Sequence, residues 1–265
     1  MTLQCFFIFL LSFCCLSTGI CAPKPNRGVD FDYLLLAQFW PTSSAIYFEN
    51  EHKHWAIPQG VDGWTIHGLW PSIPGTEKPD YCNNSMTFDF SQIEVLSKVL
   101  ATNWPDYCTD EDKTALWNHE WTKHGTCAYS MPVLKGELRY FNETLSLHSK
   151  LNTASTLGNS GVIPSKIQQY SIDEIFYALK KGYGKIPNFT CVHDEENDMF
   201  HLEQIWLCFN KQLEMIDCPD VTYPRKTSTL YFESMKKQDL AISARESFEG
   251  CPHKGKISYY PIPRE

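Results

Sequence analysis

The sequence predicts an α+β fold, a central antiparallel β-sheet flanked by helices in a single disulfide-bonded domain. Three observations carry that expectation. Apolar runs of strand length lie in the first part of the chain, segments of helical spacing follow, and two-residue alternation appears after Gly184. No repeat, low-complexity stretch or linker divides residues 30–265. A chain of 265 residues with 43% hydrophobic and 14% aromatic content can bury one full core.

The elements are expected in this order. Phe31 to Trp40 is aromatic and aliphatic throughout and stops at Pro41, which reads as a buried strand; Gly63 to Trp70, closed by Pro71, reads as a second. Ile93 to Val99 has apolar residues at helical spacing, and Thr109 to Thr126 has an acidic start and a glycine stop at Gly125, both helix signals. Ser171 with Glu174 forms a capping box ahead of Ile175, Phe176 and Leu179. From Phe189 to Cys218 the pattern alternates, with Phe200, Leu202, Gln204, Trp206 and Cys208 at every second position and a hairpin between Cys208 and Cys218. The folded domain is expected over 30–255, with 256–265 as a C-terminal tail.

The N-terminus reads as an export signal over 1–21, cleaved between 19 and 22. Phe6 to Leu16 is an apolar run of signal-core length, too short for a span, and Ser17 and Gly19 are small residues suited to cleavage. No basic residue precedes the run, so an uncleaved signal anchor is the competing reading. No later segment is apolar enough to span a bilayer, so the mature chain is expected to have no transmembrane span. Eleven cysteines suit an oxidising compartment. Sequons at Asn83, Asn142 and Asn188 mark glycan acceptors, expected in exposed loops. The net charge of −8 argues against a general polyanion binder, yet protonating all nine histidines brings the formal charge to +1, so an acidic compartment removes the repulsion.

The chemistry concentrates in Trp117-Asn118-His119-Glu120-Trp121-Thr122-Lys123-His124-Gly125-Thr126-Cys127. At about 100° per residue, His119, Lys123, Glu120 and His124 share one side of a helix. Two imidazoles, a carboxyl and an ammonium in one place can move protons and bind a phosphate. A merely solvated helix face would account for the charges, though not for the two histidines and two tryptophans crowding one turn. A zinc site of the His-Glu-x-x-His kind needs histidines at i and i+4; Lys123 holds that position and the histidines fall at i and i+5, so no metal is expected. Cys127 reads as a bridge half rather than a nucleophile. The second segment, Gly63-Trp64-Thr65-Ile66-His67-Gly68-Leu69-Trp70-Pro71, offers one histidine, a glycine that permits close approach, and indoles on which a base could stack.

Thr65 to Pro71 and His119 to Cys127 resemble the two active-site motifs of the ribonuclease T2 family, and a looser likeness runs from about Phe31 to Cys251, including Gln38-Phe39-Trp40-Pro41. The resemblance implies a cofactor-free and metal-free endoribonuclease of acidic preference. It would cleave single-stranded RNA to 2′,3′-cyclic phosphate and then 3′-phosphate ends and leave DNA untouched, and it would be secreted or lysosomal. Carried onto matching positions, it implies His124 as general base, His67 as general acid, His119 as phosphate ligand, Glu120 with Lys123 as transition-state stabilisers, and Trp70 as the base-stacking residue. It also implies bridges Cys82 to Cys127, Cys191 to Cys251 and Cys208 to Cys218. The sequence departs from the family pattern at Ser72, where an acidic residue often follows the Trp-Pro pair, and after Pro41, where a frequent cysteine is missing. The alternative of another class is a secreted ribonuclease-like glycoprotein that acts in binding or signalling. A third, a disulfide-rich binding module with a chance histidine cluster, would hydrolyse no RNA at any pH.

Cys21 and Cys108 are left over from these bridges. Either cleavage after Gly19 keeps Cys21 and it joins Cys108, or Cys21 is removed and the mature chain carries a free thiol. N-terminal sequencing with a thiol count reads this directly: a chain that begins beyond Cys21 is expected to titrate one thiol, and one that retains Cys21 none.

Overall fold

The computed structural model describes residues 30–75, 78–219, 248–252 and 254–263. The expected export signal, with Cys21, lies outside them. Strand β1, Tyr33–Phe39, takes its unbroken apolar character from its place inside the sheet, with β2 on one side and β5 on the other. Pro41 then opens helix α1, Pro41–Asn50, where a missing N–H costs nothing. Strand β2, Thr65–Ser72, lies at the sheet edge, and this is why it runs through Pro71 rather than closing at it: an edge strand tolerates a residue without a donor.

The middle of the chain is helical. Helix α2 is Ser97–Asn103, preceded by a 3₁₀ turn over Glu94–Leu96, so the helix expected over Ile93 to Val99 is shifted toward its C-terminal side. Helix α3, Ala115–Glu120, continues as a π turn, Trp121–Gly125, and a last α turn, α4, Thr126–Ala128. The acidic stretch before it is not the first turn expected from Thr109, because Asp106 and Asp112 spend their carboxylates on nearby backbone N–H groups, Cys108 and Thr114 among them. Nor does Gly125 stop the helix: it stays helical, and a side chain there would collide with the Trp121 ring.

Helices α5, Glu137–Ser149, and α6, Thr153–Gly158, are followed by strand β3, Ser165–Tyr170, and by α7, Ile172–Tyr183. The Ser171/Glu174 capping box forms at the start of α7, and Gly184 closes it in the left-handed conformation at φ 69°. Strand β4, Asn188–Asp194, pairs with β5, Met199–Phe209, and β5 turns back into the short β6, Met215–Ile216.

The strand order is β2-β1-β5-β7-β3, with β4 and β6 also paired to β5. Strand β7, Ile257–Tyr259, lies in the segment expected as a tail. It is a buried strand between β5 and β3, and the following residues accept hydrogen bonds from α1 and its cap, Trp40 Nε1 to the Tyr260 carbonyl at 2.7 Å and Thr42 to the Pro261 carbonyl at 3.3 Å. Ile257–Tyr259 is therefore part of the core. The β5–β7 pair is parallel, because β7 returns by a long connection rather than a hairpin; the other pairs among the described residues are antiparallel. No helix among these residues is long and apolar enough to cross a membrane.

Disulfides join Cys82 to Cys127, Cys191 to Cys251 and Cys208 to Cys218, and Cys108 is unpaired among the described residues. Of the sequons, Asn142 is exposed on helix α5 and Asn188 is half-buried at the start of β4, so neither sits in the loop expected for it; Asn83 lies in a turn, accepting from the Ser85 N–H.

Behind the sheet, helices α5, α6 and α7 are tied to β1 by a buried polar chain. The Gln38 amide donates to His148 Nδ1 at 2.8 Å, Thr153 donates to the Gln38 carbonyl at 2.6 Å, and the Tyr183 hydroxyl lies 2.7 Å from Thr153. Burial holds His148 down to about 4, against a bond to the Trp64 backbone that raises it. The unfolded ring takes its proton near 6.5, so the stability supplied by the neutral ring is complete above that pH and is lost as pH falls toward 4. His148→Gln keeps an acceptor for Gln38 and removes the titration. Calorimetric melting temperatures should therefore fall less steeply on the acid side in this variant than in the unmodified chain; parallel acid limbs would contradict the assignment.

Candidate active site

The site forms where β2 faces the α3–π–α4 helix. Between β1 and β2 the register skips one residue: Ala37 pairs with Gly68 and Gln38 with Ile66, leaving His67 as the extra residue of a bulge. A bulge re-aims its side chain. The imidazole stacks on Phe39, with ring centroids 4.0 Å apart, and stands edge-on to Trp70 at 4.8 Å. Its backbone carbonyl accepts from Trp104 Nε1 at 2.8 Å, and Trp117 of α3 in turn donates to the Trp104 carbonyl at 2.8 Å. His67 Nδ1 lies 2.9 Å from Gln204 Oε1 on β5, an oxygen that can only accept, so Nδ1 carries the proton and Nε2 keeps its lone pair.

The π turn places the helix residues differently from an α-helical wheel. Glu120 and His124 are buried, whereas His119 is exposed and Lys123 half-buried at the mouth. Residues five apart share a face in a π turn, and the His119 and His124 rings lie 6.3 Å apart. The angular argument against a metal, drawn from α-helical spacing, therefore does not hold: one ligand atom each from His119, Glu120 and His124 lie within 4.8 Å of one another.

Glu120 is fully buried. Its Oε2 accepts from Trp70 Nε1 at 2.9 Å, and its Oε1 has no hydrogen-bond partner among the described residues and lies 3.8 Å from His67 Nε2. The carboxyl rests directly on Gly68, where any side chain would collide with it and with the Trp70 indole. The glycine thus admits a carboxyl from the neighbouring helix. Burial pushes Glu120 up to about 8, against the Trp70 bond and the Lys123 and Lys78 charges that lower it. Burial, with positive charge at His119, Lys78 and Lys123, holds His67 well below the usual imidazole range, and the Gln204 bond opposes this. His124 is lowered in the same way by burial and then by Lys123. Partial burial and the Lys123 ammonium also lower His119. Burial thus biases the imidazoles of the site toward their neutral form and the Glu120 carboxyl toward its protonated form.

His67, Trp70, Lys78, Asp80, His119, Glu120, Lys123 and His124 line one cleft of about 510 Å³. A second cleft of about 380 Å³ shares His67 and His119 with it and extends past Phe39, Asp106, Tyr107 and Gln204. All six positions singled out from sequence as His67, Trp70, His119, Glu120, Lys123 and His124 meet in the first cleft. Phe39, Lys78, Asp80 and Gln204 join the site without having been singled out for it. Gln204 had a legible signal, a polar residue at an inward position between Leu202 and Trp206. Lys78 had none. Across the cleft the Cys82–Cys127 bridge and a bond from the Tyr81 N–H to the Lys123 carbonyl, 2.9 Å, pin the loop after β2 to the helix.

Comparison with known proteins places this arrangement. The sequence model of the Ribonuclease T2 family matches residues 31–218. Ribonuclease Oy of Magallana gigas is 39% identical over 209 residues, covering 76% of this chain and 96% of that protein. Ribonuclease T2 of Sus scrofa is 35% identical over 190 residues, covering 71% and 88%. Among solved structures, RNase NT in complex with 5′-AMP superposes with a TM-score of 0.67 at 27% identity, over 88% of this chain and 100% of that one. Human RNase T2 superposes with a TM-score of 0.58 at 31% identity, over 71% and 90%. A bulged histidine strand set against a histidine-bearing helix, with a sequence match across most of the chain, makes this protein a member of the Ribonuclease T2 family.

Proposed function

We propose that the protein is an endoribonuclease that cleaves single-stranded RNA by transphosphorylation, forming a 2′,3′-cyclic phosphate and then hydrolysing it to a 3′-phosphate. The observation that carries this reading is the convergence of His67, His119, Glu120, Lys123 and His124 on one cleft. The adjoining cleft beyond His67 supports cleavage within a chain, since it leaves room on both sides of the scissile phosphate.

His124, buried and neutral, takes the 2′-hydroxyl proton as general base. The 2′-oxygen attacks phosphorus, the bond to the 5′-oxygen breaks, and His67 Nε2 supplies the proton that the leaving oxygen needs. Gln204 fixes Nδ1–H and so aims Nε2 at the cleft. Burial is the main cause that lowers His67 and the nearby positive charges add to it; a bound phosphate anion offsets those charges and so favours the protonated ring. His119 and Lys123, at the mouth, bind the phosphate. Glu120, protonated and held beside Trp70, acts with Lys123 on the crowded phosphorane by hydrogen bonding and charge. DNA, without a 2′-hydroxyl, offers no nucleophile. Lys123 supplies the positive charge at the phosphate, so the proposed reaction calls on no metal even though three donors lie close together.

Export to the cell exterior or an acidic lumen is part of this proposal. Three disulfides suit an oxidising compartment, and protonation of histidines at acidic pH relieves the repulsion between RNA and a chain of net charge −8. Glycans at Asn83, Asn142 and Asn188 would accompany that route.

His67→Ala and His124→Ala should each lower kcat/KM on single-stranded RNA by roughly a hundredfold or more while the circular dichroism spectrum is retained. The unmodified enzyme should give a bell-shaped profile between about pH 4 and pH 8, leave cyclic-phosphate ends, and be indifferent to a chelator. Near-normal turnover in either purified variant, or activity abolished by the chelator, would contradict the mechanism.

A further inference from the structure

We propose that Lys78 and Asp80 select the base on the 5′ side of the scissile phosphate, favouring guanine, with uracil second and adenine and cytosine disfavoured. The proposal rests on the reading of the cleft as an RNA-cleaving site.

Trp70, the residue on which that base would stack, is only 6% exposed. The Lys78 ammonium sits 4.1 Å above its ring and 4.5 Å from the ring of Trp206, whose indole stands nearly perpendicular to Trp70 at 5.9 Å. Both distances are those of a cation held on an aromatic face. A base and an ammonium cannot share that face, so a stacking base displaces Lys78. The displaced ammonium remains at the cleft. Its loop is fastened three and four residues later by the Tyr81 bond to Lys123 and by the Cys82–Cys127 bridge, and a long lysine stem lets the head swing to the rim of the base.

Asp80, two residues along the same loop, lines the same cleft and brings an acceptor to it. Ser72, the polar residue that follows Trp70-Pro71 on β2, is removed from the cleft: it is 1% exposed and its hydroxyl donates to the Trp70 carbonyl at 3.0 Å. Edge readout therefore passes to the loop. An ammonium next to a carboxylate matches a base that presents an oxo group beside an N–H. Guanine does so with O6 and its N1–H and amino donors, and uracil with O4 and N3–H. Adenine and cytosine put an exocyclic amino donor where the ammonium needs an acceptor. Guanine, the larger ring, also covers more of the indole.

The test is kcat/KM of the full chain on the dinucleotides GpU, UpU, ApU and CpU, with Lys78→Met, Lys78→Arg and Asp80→Asn alongside. The unmodified enzyme should prefer GpU to ApU by about tenfold or more. Lys78→Arg should keep the preference, Lys78→Met should lose most of it while still cleaving all four, and Asp80→Asn should slow GpU and UpU more than ApU and CpU. A preference for adenine or cytosine, or an unchanged bias in Lys78→Met, overturns the proposal. Cleavage of all four without bias by the unmodified enzyme overturns base selection alone, whereas failure to cleave RNA at all overturns the functional reading beneath it.

Discussion

The buried carboxyl of Glu120, pressed against the backbone of β2, is the contact on which the site depends. It is fully enclosed, rests on Gly68, accepts from Trp70 Nε1 at 2.9 Å and reaches within 3.8 Å of His67 Nε2. Helix and strand can approach this closely only because residue 68 lacks a side chain, and the helix brings the His119 and His124 rings within 6.3 Å of each other because it loosens into a π turn at Trp121. That turn is itself made possible by Gly125, which yields its space to the Trp121 ring. Two glycines, one on each element, thus set the distance between the two halves of the site.

Isolation of this carboxyl from water has an electrostatic consequence that reaches the whole cleft. An ionised carboxylate there would draw a proton onto the neighbouring imidazole. Kept neutral by burial, it leaves His67 and His124 without a counter-charge, and burial first, with the lysine charges adding to it, holds both below the usual imidazole range. The resting site lacks one negative charge. In the mechanism we propose, an RNA phosphate brings a negative charge to the cleft, so that substrate binding favours the protonation of His67. The overall acidity of the chain is then no obstacle, because the field that the phosphate meets is local and positive.

The elements of this arrangement were unequally legible in the sequence. The ionisable residues could be read because their types and crowding are chemical facts that do not depend on backbone detail. The capping box at Ser171 and the alternation through β5 could be read because they are local patterns. Four features could not be read. The bulge at His67 arises from pairing with β1, which lies remote in sequence. The π turn breaks the periodicity on which helical projection relies, so α-helical spacing does not describe how the His119 and His124 rings come to lie 6.3 Å apart. Burial of β7 in the sheet is a tertiary outcome that a three-residue strand, Ile257–Tyr259, does not announce. Lys78, on a loop, carried no local signal, and its position over Trp70 follows from the loop being bound to the helix.

The most direct test of this account is the ionisation of Glu120 itself. Its side-chain carboxyl can be followed by carbon-13 NMR in the unliganded protein, with the resonance assigned through Glu120→Gln. The account requires a carboxyl that is protonated at pH 6 and titrates at about 8, far above an ordinary glutamate. A Glu120 already ionised at pH 6 would contradict it, since the cleft would then carry its own anion and His67 would need no phosphate to hold a proton.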